Sequence, residues 1–400
     1  ARPQRTTTNM TKTAERWQLP DGIEELLPQQ ASRVEHVRRQ LLDLYAQWGY
    51  QFVMPPLLEF TESLLVGLGE DLDLQTFKVI DQHTGRMLGI RADITPQTAR
   101  IDAHSIAADG VQRLCYAGSV LRAKPSGIKT SRAPIQVGAE LYGVTNVSAD
   151  VEVISLMLAS LEALGISDLT LDLGHVGIYR SLVKDAGLND TQQQDLFSLL
   201  QSKSFSELQT WLAGNINDAS LAKQLSSLAG LNGEADVLTA ARELSSGPEF
   251  QRALDDLEMI AKVVRQRFPN TNLYFDLSEL RGYNYHTGLV FAAYVPGVGR
   301  ALANGGRYDD IGAAFGRARA ATGFNADLKT LLSIGSEPAQ AVVESILAPV
   351  DEDPALWEKI RELRASGETI VNDLDLTGSG GFTRVLVKDN NGQWQVQPNS

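Results

Sequence analysis

Apolar residues at Val34, Val37, Leu41, Leu44, Tyr45 and Trp48 recur at helical spacing, and Gly49 ends the run. "YQFVMPP" then reads as a short strand that Pro55 and Pro56 stop. Residues 112–122 and 134–142 alternate apolar with polar, which predicts an antiparallel hairpin across the loop between them. On its second strand Ile135, Val137, Ala139 and Leu141 share one face, and Gln136, Gly138 and Glu140 share the other. A second helical pattern covers 151–164 and closes at Gly165, and "DLTLDLG" alternates as a strand after it. Residues 180–268 change character: long helical patterns, Gln/Ser-rich turns and few strand signals predict a helical insertion. Strand signals return at "NLYFDL" and "LVFAAYV", and "GRALANGGRYDD" is expected to open another helix. The last stretch holds a helix, "ALWEKIRELRASG", then short strands and a Gly/Ser turn, "TGSGG". No internal repeat is present. Strands and helices that do not alternate strictly predict an α+β fold with an antiparallel sheet.

Composition narrows the class. The chain has 400 residues, 43% hydrophobic and 21% charged, as in a globular protein of two or three domains. A net charge of -13 argues against a protein that lives on nucleic acid, where basic surface supplies most of the affinity. Cys115 is the sole cysteine, so the sequence offers no internal disulfide and no cysteine zinc site, and a reducing cytoplasm fits. No apolar run approaches the ~20 residues of a membrane span. The opening "ARPQRTTTNMTKTAER" lacks an apolar signal core and reads as a flexible extension.

Chemistry concentrates in a few stretches. "LRAKPSGIKTSRAPIQVGAEL" places Arg122, Lys124, Lys129 and Arg132 in one loop with no acid before Glu140. Such a loop invites a phosphate, a nucleic acid or the acidic face of a partner; it equally suits solvated cations on a mobile loop. Gln136 and Glu140 lie roughly 13 Å apart on one strand face. With Arg122 nearby they form either a polar floor for a small zwitterion or a solvated sheet face. In "GIRADITPQTAR", Asp93 and Thr95 precede Pro96, as a turn and helix start or as a carboxylate aimed at an amine. "ELRGYNYHTGLVF" gathers Arg281, Tyr283, Tyr285 and His286; Arg281 suits a carboxylate, and the rings suit cross-strand packing as well. The glycines of "ANGGRYDD" permit close backbone approach or a tight turn. No Walker A or dinucleotide fingerprint is present, and the five histidines lack metal-ligand spacing. No nucleophile–base pair emerges, so no catalytic residue, metal or cofactor is expected.

Together these stretches resemble the catalytic core of histidyl-tRNA synthetase, a class II aminoacyl-tRNA synthetase. "WGYQFVMPPLLEF" resembles motif 1, and "QRLCYAGSVLRAKPSGIKTSRAPIQVGAELYG" resembles motif 2. "LRGYNYHTG" resembles the histidine signature, and "GGRYDDIGAAFG" with "ATGFNADLKTLL" resembles motif 3. The resemblance runs from about Leu19 to Leu332. It implies a class II synthetase-like antiparallel sheet with flanking helices, a helical insertion and a small C-terminal α/β domain. The divisions expected are a flexible extension (1–17), a first core part (18–178), the insertion (179–270), a second core part (271–333) and a C-terminal domain (334–400). Carried over position by position, Asp93, Thr95 and Gln136 match residues around the substrate amine. Glu140 matches the carboxylate that reads the imidazole, and Arg281 matches the arginine near the substrate carboxylate. Tyr285 belongs to the same signature, and His286 stands where the synthetases use a tyrosine on the imidazole.

The nucleotide side departs from the pattern. Arg122 remains, but Lys124 replaces the acid that holds adenine, and Thr330 replaces the motif 3 arginine. One such contact supplies ~2.7–4 kcal/mol of transition-state stabilisation. Nothing local to Thr330 supplies a planar, fixed charge in its place. The 70 residues after Thr330 hold 11 acids and 5 bases, a surface that would repel an RNA backbone, so no tRNA is expected. A synthetase-like chain with an amino-acid pocket and no phosphate grip resembles the regulatory subunits of ATP phosphoribosyltransferase. That resemblance implies a non-catalytic chain that activates a short-form catalytic subunit and relays feedback inhibition by histidine. It further implies a self-dimer through the synthetase-like core and a hetero-octamer of four chains of each kind. The alternative is an active histidine-adenylating enzyme or truncated synthetase.

Overall fold

A computed structural model describes residues 17–66, 70–124, 131–278, 286–335, 345–374 and 382–399. Among the described residues, twelve strands belong to its first unit, residues 1–336. They are β1 (Gln51–Phe52), β2 (Leu58–Phe60), β3 (Phe77–Ile80), β4 (Met87–Ile90), β5 (Gln112–Ser119), β6 (Ile135–Tyr142), β7 (Thr170–His175), β8 (Asn232–Gly233), β9 (Asn272–Asp276), β10 (Leu289–Tyr294), β11 (Ala303–Arg307) and β12 (Ala321–Asp327). Nine of them form one sheet in the order β1-β5-β6-β12-β11-β10-β7-β9-β8. Its centre is antiparallel, as the pattern predicts, but β1–β5 and β7–β9 pair in parallel. A small second sheet runs β2-β4-β3.

The two faces of the large sheet differ, and the alternation of β6 is the reason. Val137, Ala139 and Leu141 are buried in the main core with Phe324, Ala326, Phe291, Leu171, Leu173 and Phe275. The helices Pro28–Gln47, Ser148–Ala163 and Pro248–Arg267 contribute Val37, Leu41 and Tyr45, then Ile154, Met157 and Leu161, then Leu254, Leu257 and Ile260 to the same core. The first and third sets recur at three to four residues, one stripe turned inward, whereas Ser148–Ala163 is buried on nearly every face, from Val153 to Leu158 without a break. On the other face of β6 lie Gln136, Gly138 and Glu140. They are in register with Asp327, Asn325 and Gly323 of β12, and those last two with Asn304 and Gly306 of β11. This face is polar and carries the candidate site.

"GRALANGGRYDD" does not open a helix. It forms β11, and only Ile311–Phe315 beyond it coil, as a 3-10 turn. The glycines belong to mid-sheet: a Cβ at Gly305 would overlap the carbonyl of Gly323, and one at Gly306 would lie 2.6 Å from that of Leu289. Of "YQFVMPP", only Gln51–Phe52 pair as a strand. Between β7 and β9 the helices Val176–Ala186, Asp190–Gln201, Phe205–Asn215, Ala219–Leu228, Asp236–Arg242 and Pro248–Arg267 follow one another. Asn189 starts the second with a capping box, and Asp218 caps the fourth through Ser220 and Leu221.

The second unit, residues 337–400, has its own core. Strands β13 (Ile346–Ala348), β14 (Ile370–Asn372), β15 (Arg384–Lys388) and β16 (Trp394–Pro398) lie in the order β14-β13-β15-β16. The helix Pro354–Ala365 buries Leu356 and Ile360 against Ile346, Ile370 and Leu386. Asp353 caps that helix at Ala355 and also accepts from Lys388 Nζ (2.7 Å) and Trp394 Nε1 (2.9 Å). The Gly/Ser turn 377–381 lies outside the described residues.

Candidate amino-acid site

Glu140 stands at the centre of the polar sheet face with 1% of its surface exposed. Three hydroxyls surround it. Oε1 accepts from Tyr116 OH (2.9 Å) and Thr95 Oγ1 (3.0 Å), and Oε2 accepts from Tyr308 OH. Glycines make room for the group. A Cβ at Gly138 would lie 2.6 Å from Tyr116 OH, and one at Gly323 would overlap the Glu140 carboxylate. Burial raises the Glu140 pKa to about 8; the hydroxyl donors oppose the shift, and the charge of Asp93 adds to it. Burial likewise holds the phenols of Tyr116 and Tyr308 well above their ordinary range, with Glu140 next in effect.

A second polar group adjoins the first. Gln136, 3% exposed, donates from Nε2 to Asp93 Oδ1 (2.9 Å) and accepts the backbone N–H of Ile94 (2.8 Å). The same Asp93 oxygen accepts the N–H of Thr95 (2.9 Å), which fixes the turn into the helix Thr95–Arg100. One carboxylate and one amide carbonyl therefore lie beside the Glu140 group, acceptors of the kind an ammonium needs. The sequence-level alternative of a solvated sheet face does not hold, because Gln136 and Glu140 are both buried.

His286, 6% exposed, packs on the same sheet face. Its Nε2 would lie 2.8 Å from a Cβ on Gly306, two strands from Glu140 along the row Glu140–Gly323–Gly306. Its backbone carbonyl accepts from Arg180 Nη2 (2.9 Å). Arg281 and Tyr285 lie outside the described residues, so the carboxylate end of the expected site is not placed. Arg122 follows β5: its N–H donates to Arg132 O (2.8 Å), and the residue bridges to Thr76. With Gln136 it lines a cleft of about 800 Å³. Of the other loop cations, Lys129 falls outside the described residues and Lys124 is exposed. Arg132 is tied back to Arg122 O (3.0 Å) and Asp21 O (3.2 Å), 5.0 Å above the Phe77 ring.

Sequence reasoning missed Tyr116 and Tyr308. Tyr116 is directly opposite Gly138 on β5, so a strand register would have exposed it as a large side chain over a glycine. Tyr308 stands inside "GGRYDD", where the glycines drew the reading. Its neighbour Arg307 anchors that segment: Nη2 and Nε hold Asp150 Oδ2 at 2.7 and 3.1 Å, and Nη1 reaches Asp309 at 3.2 Å. Thr330 donates to Asp327 Oδ2 (2.7 Å) and accepts from Arg300 Nη2 (2.8 Å). A planar cation thus does reach Thr330, from the β10–β11 connection and not from its own helix. Among the described residues no His/Cys/Asp/Glu cluster could hold a metal ion, and no helix is long and apolar enough to cross a membrane.

A largely antiparallel sheet with one polar face, carrying a buried carboxyl group among hydroxyls, fits a class II synthetase-like fold. Histidyl-tRNA synthetase is the family matched by residues 22–331, and the ATP phosphoribosyltransferase subunit HisZ C-terminal domain is matched by residues 343–397. An ATP phosphoribosyltransferase regulatory subunit of Thioalkalivibrio sulfidiphilus is 53% identical over 95% of this chain and 98% of its own length. One of Azotobacter vinelandii is 54% identical over 96% and 99%. Among solved structures, an ATP phosphoribosyltransferase regulatory subunit/histidyl-tRNA synthetase from Bacillus halodurans C superposes with a TM-score of 0.78 at 29% identity, covering 90% of this chain and 94% of that one. The chain belongs to the family of ATP phosphoribosyltransferase regulatory subunits, and its part in that enzyme is regulatory, not catalytic.

Proposed function

We propose that this chain is the histidine sensor and activator of ATP phosphoribosyltransferase. Histidine binds on the polar sheet face, with its imidazole toward Glu140 and His286 and its ammonium toward Asp93 and Gln136. The resemblance assigns Arg281 and Tyr285 to the substrate carboxylate, and Arg122 lines the adjoining cleft with Gln136. The observation that carries this reading is the buried Glu140 with its three hydroxyl partners. Such a group serves no purpose in packing, where an apolar residue would do better, but it suits an imidazole that needs one hydrogen-bond partner of fixed position. The partner is a short-form catalytic subunit, which performs all phosphoribosyl transfer. Core-to-core self-dimers assemble with it in the cytoplasm as a hetero-octamer, four chains of each kind. Exposed Met54, Leu57, Leu58, Ile80 and Met87 on and around the small sheet support a self-association surface.

Regulation by this site requires that histidine favour one state of the complex over the other. Couplings of ~1–3 kcal/mol would span five- to hundredfold changes in activity. The test mixes this chain with a short-form catalytic subunit, follows phosphoribosyl-ATP formation and titrates histidine. Activation on mixing, inhibition by histidine and loss of that inhibition in Glu140→Ala are expected. Inhibition that survives Glu140→Ala would place the sensor elsewhere.

A further inference from the structure

We propose that Asn391 is a site of spontaneous deamidation and isomerisation, a covalent modification that loosens the clasp on Asp353 in the second unit. Asparagine followed by glycine is the susceptible dipeptide, because glycine has no side chain to shield its backbone nitrogen from the asparagine amide. The chain has three such pairs, Asn232-Gly233, Asn304-Gly305 and Asn391-Gly392. The fold protects two of them. Gly305 lies in mid-sheet between Phe291 of β10 and Phe324 of β12, where even a Cβ finds no room. Asn232 is paired with Asp276 of β9, and its side-chain oxygen accepts from Tyr274 OH (3.0 Å). Neither backbone can turn toward its side chain without breaking the large sheet.

Asn391 is placed differently. It is exposed at the tip of the β15–β16 hairpin, and Gly392 follows it at φ +80°. One backbone bond holds the attacking nitrogen, from Gly392 N–H to Asp389 O (3.0 Å). The N–H groups of Asn391 and Gln393 donate to Asp389 Oδ1 (2.8 Å each). A hairpin tip opens locally, at far lower cost than the centre of a large sheet. On opening, Gly392 N loses its proton to hydroxide and attacks Asn391 Cγ. The new C–N bond closes a succinimide ring, and the side-chain nitrogen leaves as ammonia, taking a proton from water. Water then opens the ring at either carbonyl, which leaves aspartate or isoaspartate. The sum is one amide and one water converted to a carboxylate and ammonium, with no oxidant or reductant.

Either product sets a new carboxylate beside Asp389, and isoaspartate also adds a methylene to the main chain of the turn. That turn fixes the register of Lys388 with Trp394. Both of those side chains donate to Asp353, the cap of the helix Pro354–Ala365. The modification therefore reaches the cap through the first pair of the hairpin. It does not rest on the histidine reading.

The test incubates the full chain at pH 6 and pH 8.5, in buffer and in urea. Peptide mass spectrometry follows each Asn-Gly pair, with aspartate and isoaspartate products separated by chromatography. In buffer, conversion at Asn391 should outpace that at Asn232 and Asn304 by about tenfold or more, the ratio set by local against sheet-wide opening. It should run faster at pH 8.5, because the attacking nitrogen must lose its proton. In urea the three pairs should convert at similar rates, since the fold and not the flanking sequence sets the order. Hydrogen exchange at the Ala355 N–H, which Asp353 caps, should quicken in the aged wild type. It should stay unchanged in Asn391→Gln, whose longer side chain closes the ring poorly. Conversion at Asn391 no faster in buffer than at the other two pairs would overturn the site. Unchanged exchange at Ala355 in the converted chain would overturn its link to the Asp353 clasp.

Discussion

Glu140→Gln isolates the cost of keeping a carboxyl group in this interior. Burial moves the Glu140 pKa from the ordinary 4.5 to about 8. Between those values the folded chain keeps a proton that the unfolded chain has released. Its contribution to stability is therefore complete below pH 4.5, declines as pH rises, and is lost by the time pH passes 8. At ~1.4 kcal/mol per pH unit over about 3.5 units, the decline amounts to on the order of 5 kcal/mol. Glutamine keeps the shape and a carbonyl acceptor for the hydroxyls but cannot ionise. Near pH 5 the variant should match the wild type within about 1 kcal/mol, the net worth of one hydrogen bond. At pH 9 it should be the more stable by about 4 kcal/mol, the decline from pH 5 to the folded pKa of about 8. Urea unfolding at pH 5, 7 and 9 reads the difference directly, because titrations elsewhere in the chain cancel between the two proteins. If the two stabilities run parallel across that range, the carboxyl group is not held neutral by its surroundings and the electrostatic account of the pocket is wrong.

Gly305→Ala places a methyl group against the Gly323 carbonyl and the Phe291 ring in mid-sheet, so a loss of about 1–3 kcal/mol is expected in urea unfolding, with the sheet disturbed beside the site. Arg307→Leu strands the buried Asp150 carboxylate and should cost about 3–5 kcal/mol, while the double variant Asp150→Leu/Arg307→Leu should recover most of that loss. Equal instability of the single and double variants would mean that the pair acts through packing and not through charge.

Much of this architecture is readable from the pattern of residues. The alternation in residues 134–142 assigned Gln136 and Glu140 to one face and Val137, Ala139 and Leu141 to the other, because strand geometry leaves no other choice once the strand exists. Helical patterns at 34–48 and 151–164 marked the helices Pro28–Gln47 and Ser148–Ala163, because period follows from backbone geometry and is local. The synthetase-like motifs pointed to the order of the pieces and to most of the candidate residues.

Contacts between distant segments were not readable. Tyr116, Thr95 and Tyr308 meet at Glu140 from three separate elements, and no local rule joins residues 95, 116, 140 and 308. Gly305 and Gly306 read as a close backbone approach or a tight turn, because glycine's freedom is a local property, whereas the need for a missing side chain comes from neighbouring strands that only the folded sheet supplies. Thr330 looked like a lost charge until Arg300 arrived from the β10–β11 connection. Sequence determined which residues share a face, since that depends on the repeat of a single strand or helix. Tertiary structure alone decided which faces meet, and hence that a carboxyl group is buried among hydroxyls, because burial and pairing are properties of the whole packed sheet.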